Sequence, residues 1–128
     1  MEHQVLLVRD IEKMGILIGK LMNFKLLDTH SQLVLDINNG YAELFDLKEN
    51  EINLKNKIIL GFLNSEDKSK LFIKKLECLI QIIESDYIHI STTIEKKNVL
   101  FALIKKLISA DFKNYYPARF IKMDLYKD

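Results

Sequence analysis

Residues 65–85 read SEDKSKLFIKKLECLIQIIES, and this stretch decides the fold. Phe72, Leu76, Leu79 and Ile83 recur at spacings of four, three and four. That is the period of one helical face, and Ile73 and Ile80 widen it. Asn64 or Ser65 stands where an N-cap belongs. Glu66 and Asp67 then fall in the first turn, where negative charge favours the helix dipole. The stretch predicts a long amphipathic helix ending near Ser85, the fourth helix of the chain.

Upstream the same period repeats. Leu7, Ile11, Met14, Ile18 and Leu21 place helix 1 from about Gln4 to Asn23, with Val8, Gly15 and Met22 widening its stripe. Gly15 and Gly19 are four residues apart and are expected to let a neighbouring helix approach closely. Leu26 to Asp28 is a joint, and Thr29 with Gln32 has capping-box spacing, Asp28 being the other N-cap choice. Helix 2 follows to about Phe45, with Val34, Ile37, Tyr41 and Leu44 on one face. Gly40 inside it marks close packing or a bend. Asn50, Asn53 and Asn56 weaken helical propensity after Leu47. One broken turn and a short helix 3, about Leu54 to Leu63, are expected there. Leu47, Ile52, Leu54, Ile58 and Ile59 anchor this region to a core.

Downstream, Tyr87 to Ser91 alternates, but a lone strand has no partner, so it reads as an extended joint. Thr92 with Glu95 is a second capping box. Helix 5 runs to about Ala110, with Leu100, Leu103, Ile104 and Leu107 inward. The tail from Asp111 to Asp128 carries five aromatics, and Pro117 suits the first position of a short final helix.

Only five residues are Gly or Pro: Gly15, Gly19, Gly40, Gly61 and Pro117. So few breakers leave little room for anything except helices and short joints. The expected fold is a single all-α domain over residues 1–128. It has five or six helices packed as antiparallel hairpins, either a helical bundle or similar to tetratricopeptide repeats. With 48% hydrophobic and 29% charged residues, the composition is that of a globular chain and argues against disorder.

Composition also bounds the function. The net charge is +1, so no strong overall field steers the chain to nucleic acid or to an anionic membrane. Arg9 and Arg119 are the only arginines among 19 basic residues, which lowers the nucleic-acid expectation further. Cys78 is alone, so no internal disulfide forms. Met1 to Gln4 lack a basic n-region, and the uncharged stretch from Met14 to Gly19 is far shorter than a membrane span. A cytoplasmic protein is expected. Abundant Lys, Ile, Leu and Asn suit an AT-rich bacterial genome.

His3, His30 and His89 lie far apart and none has a histidine partner at ligand spacing, so no metal site is expected, and Asp28 with His30 reads as a solvated cap. Cys78 lies near the edge of the helix 4 seam with no base beside it in sequence and reads as a buried, inert thiol. No nucleophile elbow, phosphate loop or dinucleotide fingerprint is present, and the glycines are too dispersed for a phosphate cradle. The expectation is no cofactor and no enzyme, with an enzyme of no recognisable motif as the distant alternative.

Two interaction classes remain. A nucleic-acid regulator would use Asn53, Lys55, Asn56 and Lys57 on helix 3, or the aromatic and basic tail with Lys113, Arg119, Lys122 and Lys127. A protein-interaction or small regulatory module is favoured over it, through a partner or self-association. Leu6, Leu17 and Phe24 form a second apolar stripe on helix 1. With Arg9 and the tail residues Tyr115, Tyr116, Arg119 and Phe120, they make up the candidate interaction surface.

The segment Arg9-Asp10-Ile11-Glu12, followed by Leu17, Ile18, Lys20 and Leu21, resembles the first helix of certain small uncharacterised bacterial proteins. Tyr41-Ala42-Glu43-Leu44-Phe45, a broken Leu-rich turn and a long helix from Ser65 are similar to them as well. The resemblance implies helical hairpins of tetratricopeptide type and no known activity. The 34-residue repeat signature itself is absent, and the chain has no Trp.

Overall fold

A computed structural model describes residues 12–17, 19 and 30–115, apart from the Tyr115 side chain. Residues 12–17 and 19 belong to helix α1. Helices α2 (His30–Phe45), α3 (Lys57–Asn64), α4 (Lys70–His89), α5 (Ile94–Ala110) and α6 (Phe112–Tyr115) follow, with a 3₁₀ turn at Glu49–Glu51. The protein is all-α and packs helix on helix, as the periodicity predicts; the described residues include no strand. No described helix is long and apolar enough to cross a membrane. The expected ends of helix 1, the Thr29 cap and the Pro117 helix lie outside the described residues.

Helix α4 is the centre. Phe72, Leu76, Leu79 and Ile83 are buried as expected, and beyond Cys78 the burial extends to every residue through Tyr87. A helix surrounded on all sides loses its one-faced pattern, so Gln81, Glu84, Ser85 and Asp86 are buried too. Helix α5 folds back against it through residues 90–93 as an antiparallel hairpin, burying Val99, Leu100, Leu103, Ile104 and Leu107. Helix α2 covers another side with Leu33, Ile37, Tyr41 and Phe45. Its seam is rotated from the expected one, leaving Val34 and Leu44 half-buried. Met14 and Leu17 of α1 join the same core.

Glycine decides the α1–α2 contact at Gly40, one of the positions expected to mark close packing. An ideal Cβ on Gly40 would fall 2.6 Å from Leu17 Cδ2 and 3.2 Å from Ile82 Cδ1, so α1 and α4 both press on this site. A Cβ on Gly15 or Gly19 would meet nothing within 4 Å. These two glycines therefore do not mark a close crossing.

The joints correct several boundaries. Asp46 closes α2 at a φ of 52°, a left-handed conformation that Asp tolerates. Its N–H donates to the Ala42 carbonyl, and the Leu47 N–H donates to that of Tyr41. Helix α3 starts at Lys57 rather than Leu54, because the Asn56 side chain accepts from the backbone N–H groups of Ile58 and Ile59. Leu47, Ile52 and Ile59 are buried as expected, but Leu54 is exposed. Helix α4 starts at Lys70 with Ser69 as N-cap, so Asn64 ends α3 and Glu66 and Asp67 precede α4. The sequence holds several adjacent capping residues there, and Ser65 and Asp67 instead accept from the backbone N–H groups two residues on. At the far end α4 continues through Tyr87 and His89, overriding the alternation that reads as an extended joint. Thr93, not Thr92, caps α5; the Thr92 hydroxyl donates to the Tyr87 carbonyl.

Candidate functional site

The expected interaction surface is only partly placed by the structure, and one of its members moves. Leu17 is in the core against Gly40, so it does not belong to an outward stripe. The next residue outward is Ile16, 62% exposed. Tyr115 ends the short helix α6. Leu6, Arg9, Phe24, Tyr116, Arg119 and Phe120 lie outside the described residues.

Two clefts carry the remaining interest. One lies between α2, the 3₁₀ turn and the start of α5, with a volume of about 480 Å³. Asn38, Glu49, Asn50, Thr93, Glu95 and Lys96 line it. At its base is a buried polar chain that no local spacing in the sequence reveals. Tyr41 Oη donates to Asp86 Oδ2 at 2.7 Å. Lys96 Nζ donates to Asp86 Oδ1 at 2.9 Å and to Glu49 Oε1 at 3.3 Å. These residues come from α2, α4, α5 and the 3₁₀ turn, so the chain of bonds ties four elements together. Burial, reinforced by the Asp86 carboxylate, pushes the Tyr41 phenol far above its ordinary range.

This chain of bonds is closed. Among the described residues, no buried side-chain nitrogen or oxygen lacks a hydrogen-bond partner. The Lys96 protons are directed at two carboxylates, and the Tyr41 hydroxyl is committed to Asp86. Such an arrangement positions helices, and of its members Glu49, 43% exposed, keeps part of its carboxylate open to the cleft. Cys78 is equally withdrawn: it is fully buried, and burial, with a smaller contribution from Glu77, pushes its thiol up to about 12. No three His, Cys, Asp or Glu side chains among the described residues are grouped to hold a metal ion.

The second cleft is apolar. It lies between α3 and the start of α4, has a volume of about 310 Å³ and is lined by Ile58, Gly61, Phe62, Ser65, Asp67, Leu71, Phe72 and Lys75. Its floor is an aromatic pair, Phe62 and Phe72, stacked with ring centres 5.7 Å apart. Phe45 meets Phe62 edge-on at 5.9 Å and ties the floor to α2. A Cβ on Gly61 would meet nothing within 4 Å, so the missing side chain leaves the cleft open. Lys106 of α5 donates to the Ser65 carbonyl at the rim. Hydrogen bonds from the Ser69 backbone and hydroxyl hold the exposed Asp67 carboxyl below its usual range.

Helical periodicity places Ile58 and Phe72 against the core but does not reveal the cleft between them. Its signal is the apolar run Ile58-Ile59-Leu60-Gly61-Phe62-Leu63, which is wider than the single face α3 buries. Searches against protein families, curated proteins and solved structures found no family model, protein or structure that matches the chain.

Proposed function

We propose that this chain is a non-enzymatic protein-interaction or small regulatory module that binds a partner at the α3–α4 cleft. The observation that carries the proposal is the open apolar floor of Phe62 and Phe72 beneath an absent side chain at Gly61. A desolvated pocket of this kind receives an anchoring side chain, which is how protein interfaces concentrate their binding energy. Leu60, 38% exposed on the same short helix, adds apolar surface nearby. The closed Tyr41–Asp86–Lys96 chain supports a structural rather than a catalytic use of the interior.

A nucleic-acid regulator is the second reading, and two observations weigh against it. Asn56 is committed to capping α3, and Asn53 to its own loop through the Lys55 N–H and the Glu51 carbonyl. Beyond Lys57, α3 offers Ile, Leu, Gly and Phe before Asn64, side chains poorly suited to reading base edges. The kinship with tetratricopeptide-like bacterial proteins and a cytoplasmic location remain parts of this proposal; the α4–α5 hairpin is the element that supports the kinship.

The test is retention from an extract of the native host on immobilised wild-type chain and on a Gly61→Leu variant. Proteins held by the wild type and released by the variant are expected. Retention that the variant leaves unchanged, or retention of nucleic acid alone, contradicts the proposal.

A further inference from the structure

Burial on the outer face of α4 runs against its chemistry. Glu84 is 4% exposed, while Ile88, one turn further along the same face, is 49% exposed. A glutamate is almost never buried to this degree without a cation beside it. Neither α2 nor the described part of α1 lies over this face. Ile82 and Asp86 face Gly40 and Tyr41 of α2, and Glu84 lies two residues from each, about 200° around the helix. Helix α1 approaches on the α2 side, where Leu17 meets Gly40 beside Ile82. On α5, which flanks the face, Ile94, Phe101 and Ile108 stand seven residues apart on the outward side. Ile94 is 70% exposed, but Phe101 and Ile108 are half-buried. The antiparallel hairpin is therefore sheltered over residues 77–84 and 101–108, which lie level with one another, and bare at its tip.

We propose that residues 116–128 cover this groove as a strap laid back along α5. The segment continues from α6, which packs on α5. Coiled as a helix, its 13 residues span about 20 Å, enough to return from the end of α5 to the level of Glu84. At about 100° per residue, Tyr116, Phe120 and Met123 share one face, with Arg119 and Lys122 along one edge and Asp124 and Asp128 along the other. Such a strap runs parallel to α4. Right-handed winding then turns its basic edge towards Glu77 and Glu84, and its acidic edge towards Lys97 and Lys105 of α5. Its apolar face closes over Phe101 and Ile108. Charge and hydrophobicity thus match on both sides of the groove, and Glu84 gains the cation that its burial demands. Arg119 and Phe120 then belong to the fold itself, and the partner surface is left to the α3–α4 cleft.

The experiment attaches a nitroxide at Asp128→Cys in the full chain, native Cys78 being buried, and reads amide broadening by nuclear magnetic resonance. The strap predicts broadening centred on Gln81, Glu84 and Phe101, with Gly61 and Phe62 across the bundle unaffected. An isotopically labelled chain mixed with the unlabelled, nitroxide-bearing chain should show none. Glu84→Lys sets like charges together and should remove the broadening. Phe120→Ser, on the segment itself, reads the same release where Glu84→Lys does not fold. Broadening centred on α3, or none at all, would overturn the inference. So would broadening that a folded variant leaves unchanged, and broadening in the mixed sample, which would assign the cover to a second copy of the chain.

Discussion

Lys96 Nζ lies 2.9 Å from Asp86 Oδ1, joining the first turn of one helix to the last turns of its hairpin partner with the carboxylate fully buried. Two charges removed from water together cost less than either one removed alone. Asp86→Asn or Lys96→Met alone should therefore destabilise the chain by about 3–5 kcal/mol. The double variant should cost clearly less than the two single costs combined. The introduced amide at position 86 can still accept from Tyr41, and no unpaired charge is left buried at position 86. Urea unfolding of the four proteins measures this coupling.

Gly40 carries the α1–α2–α4 contact, and its replacement has a sign that depends on Leu17. Ala in a helix normally gains about 1 kcal/mol over Gly. Here the added Cβ would lie 2.6 Å from Leu17 Cδ2, so Gly40→Ala should instead destabilise by about 1 kcal/mol. In a Leu17→Ala background the same change should stabilise. Gly15→Ala, where a Cβ meets open space, should stabilise in either background by up to about 1 kcal/mol. Thermal unfolding of the set distinguishes the two kinds of glycine.

Alkaline pH should unfold the protein through its buried acids. The folded Cys78 thiol is raised from 9.0 to about 12, so above pH 9.0 the unfolded state releases a proton that the folded state keeps. Stability is fully present below that range and falls as pH rises towards 12. Tyr41, raised first by burial and then by Asp86, acts in the same direction. Denaturant titrations across this range should show the loss, with a shallower slope in Cys78→Ala. At neutral pH the native thiol should resist labelling until the chain unfolds.

Asn56 holds the start of α3 by accepting from two backbone N–H groups. Asn56→Ala should cost about 1 kcal/mol, whereas Asn56→Asp or Asn56→Ser should cost little. Chemical denaturation measures it.

The helices are legible in the sequence because apolar residues three and four apart are buried together on one helical face. Phe72, Leu76, Leu79 and Ile83 fall where the period puts them, as do Leu100, Leu103, Ile104 and Leu107. Boundaries are less legible wherever capping residues crowd, as at Ser65, Asp67 and Ser69 or at Thr92 and Thr93, since each can satisfy the same N–H groups. Tyr87 to His89 reads as extended because Ile88, His89, Ile90 and Ser91 alternate apolar and polar, yet the helix runs on through them with Ile88 and His89 exposed at its end. The Asp86–Lys96 pair is invisible in the sequence for the same reason that it matters. Two charges ten residues apart read as solvated until the hairpin closes over them. The cleft depends on what Gly61 lacks, and a missing side chain leaves no pattern.

The most direct measurement is chemical-shift mapping of the isotopically labelled chain during titration with a partner protein retained from the host extract. Binding at the α3–α4 cleft predicts that the amide signals of Gly61, Phe62, Ser65, Leu71 and Lys75 shift together and saturably, while those of Thr93 and Lys96 stay in place. Shifts centred on the Lys96 cleft, or none at saturating partner, would contradict it.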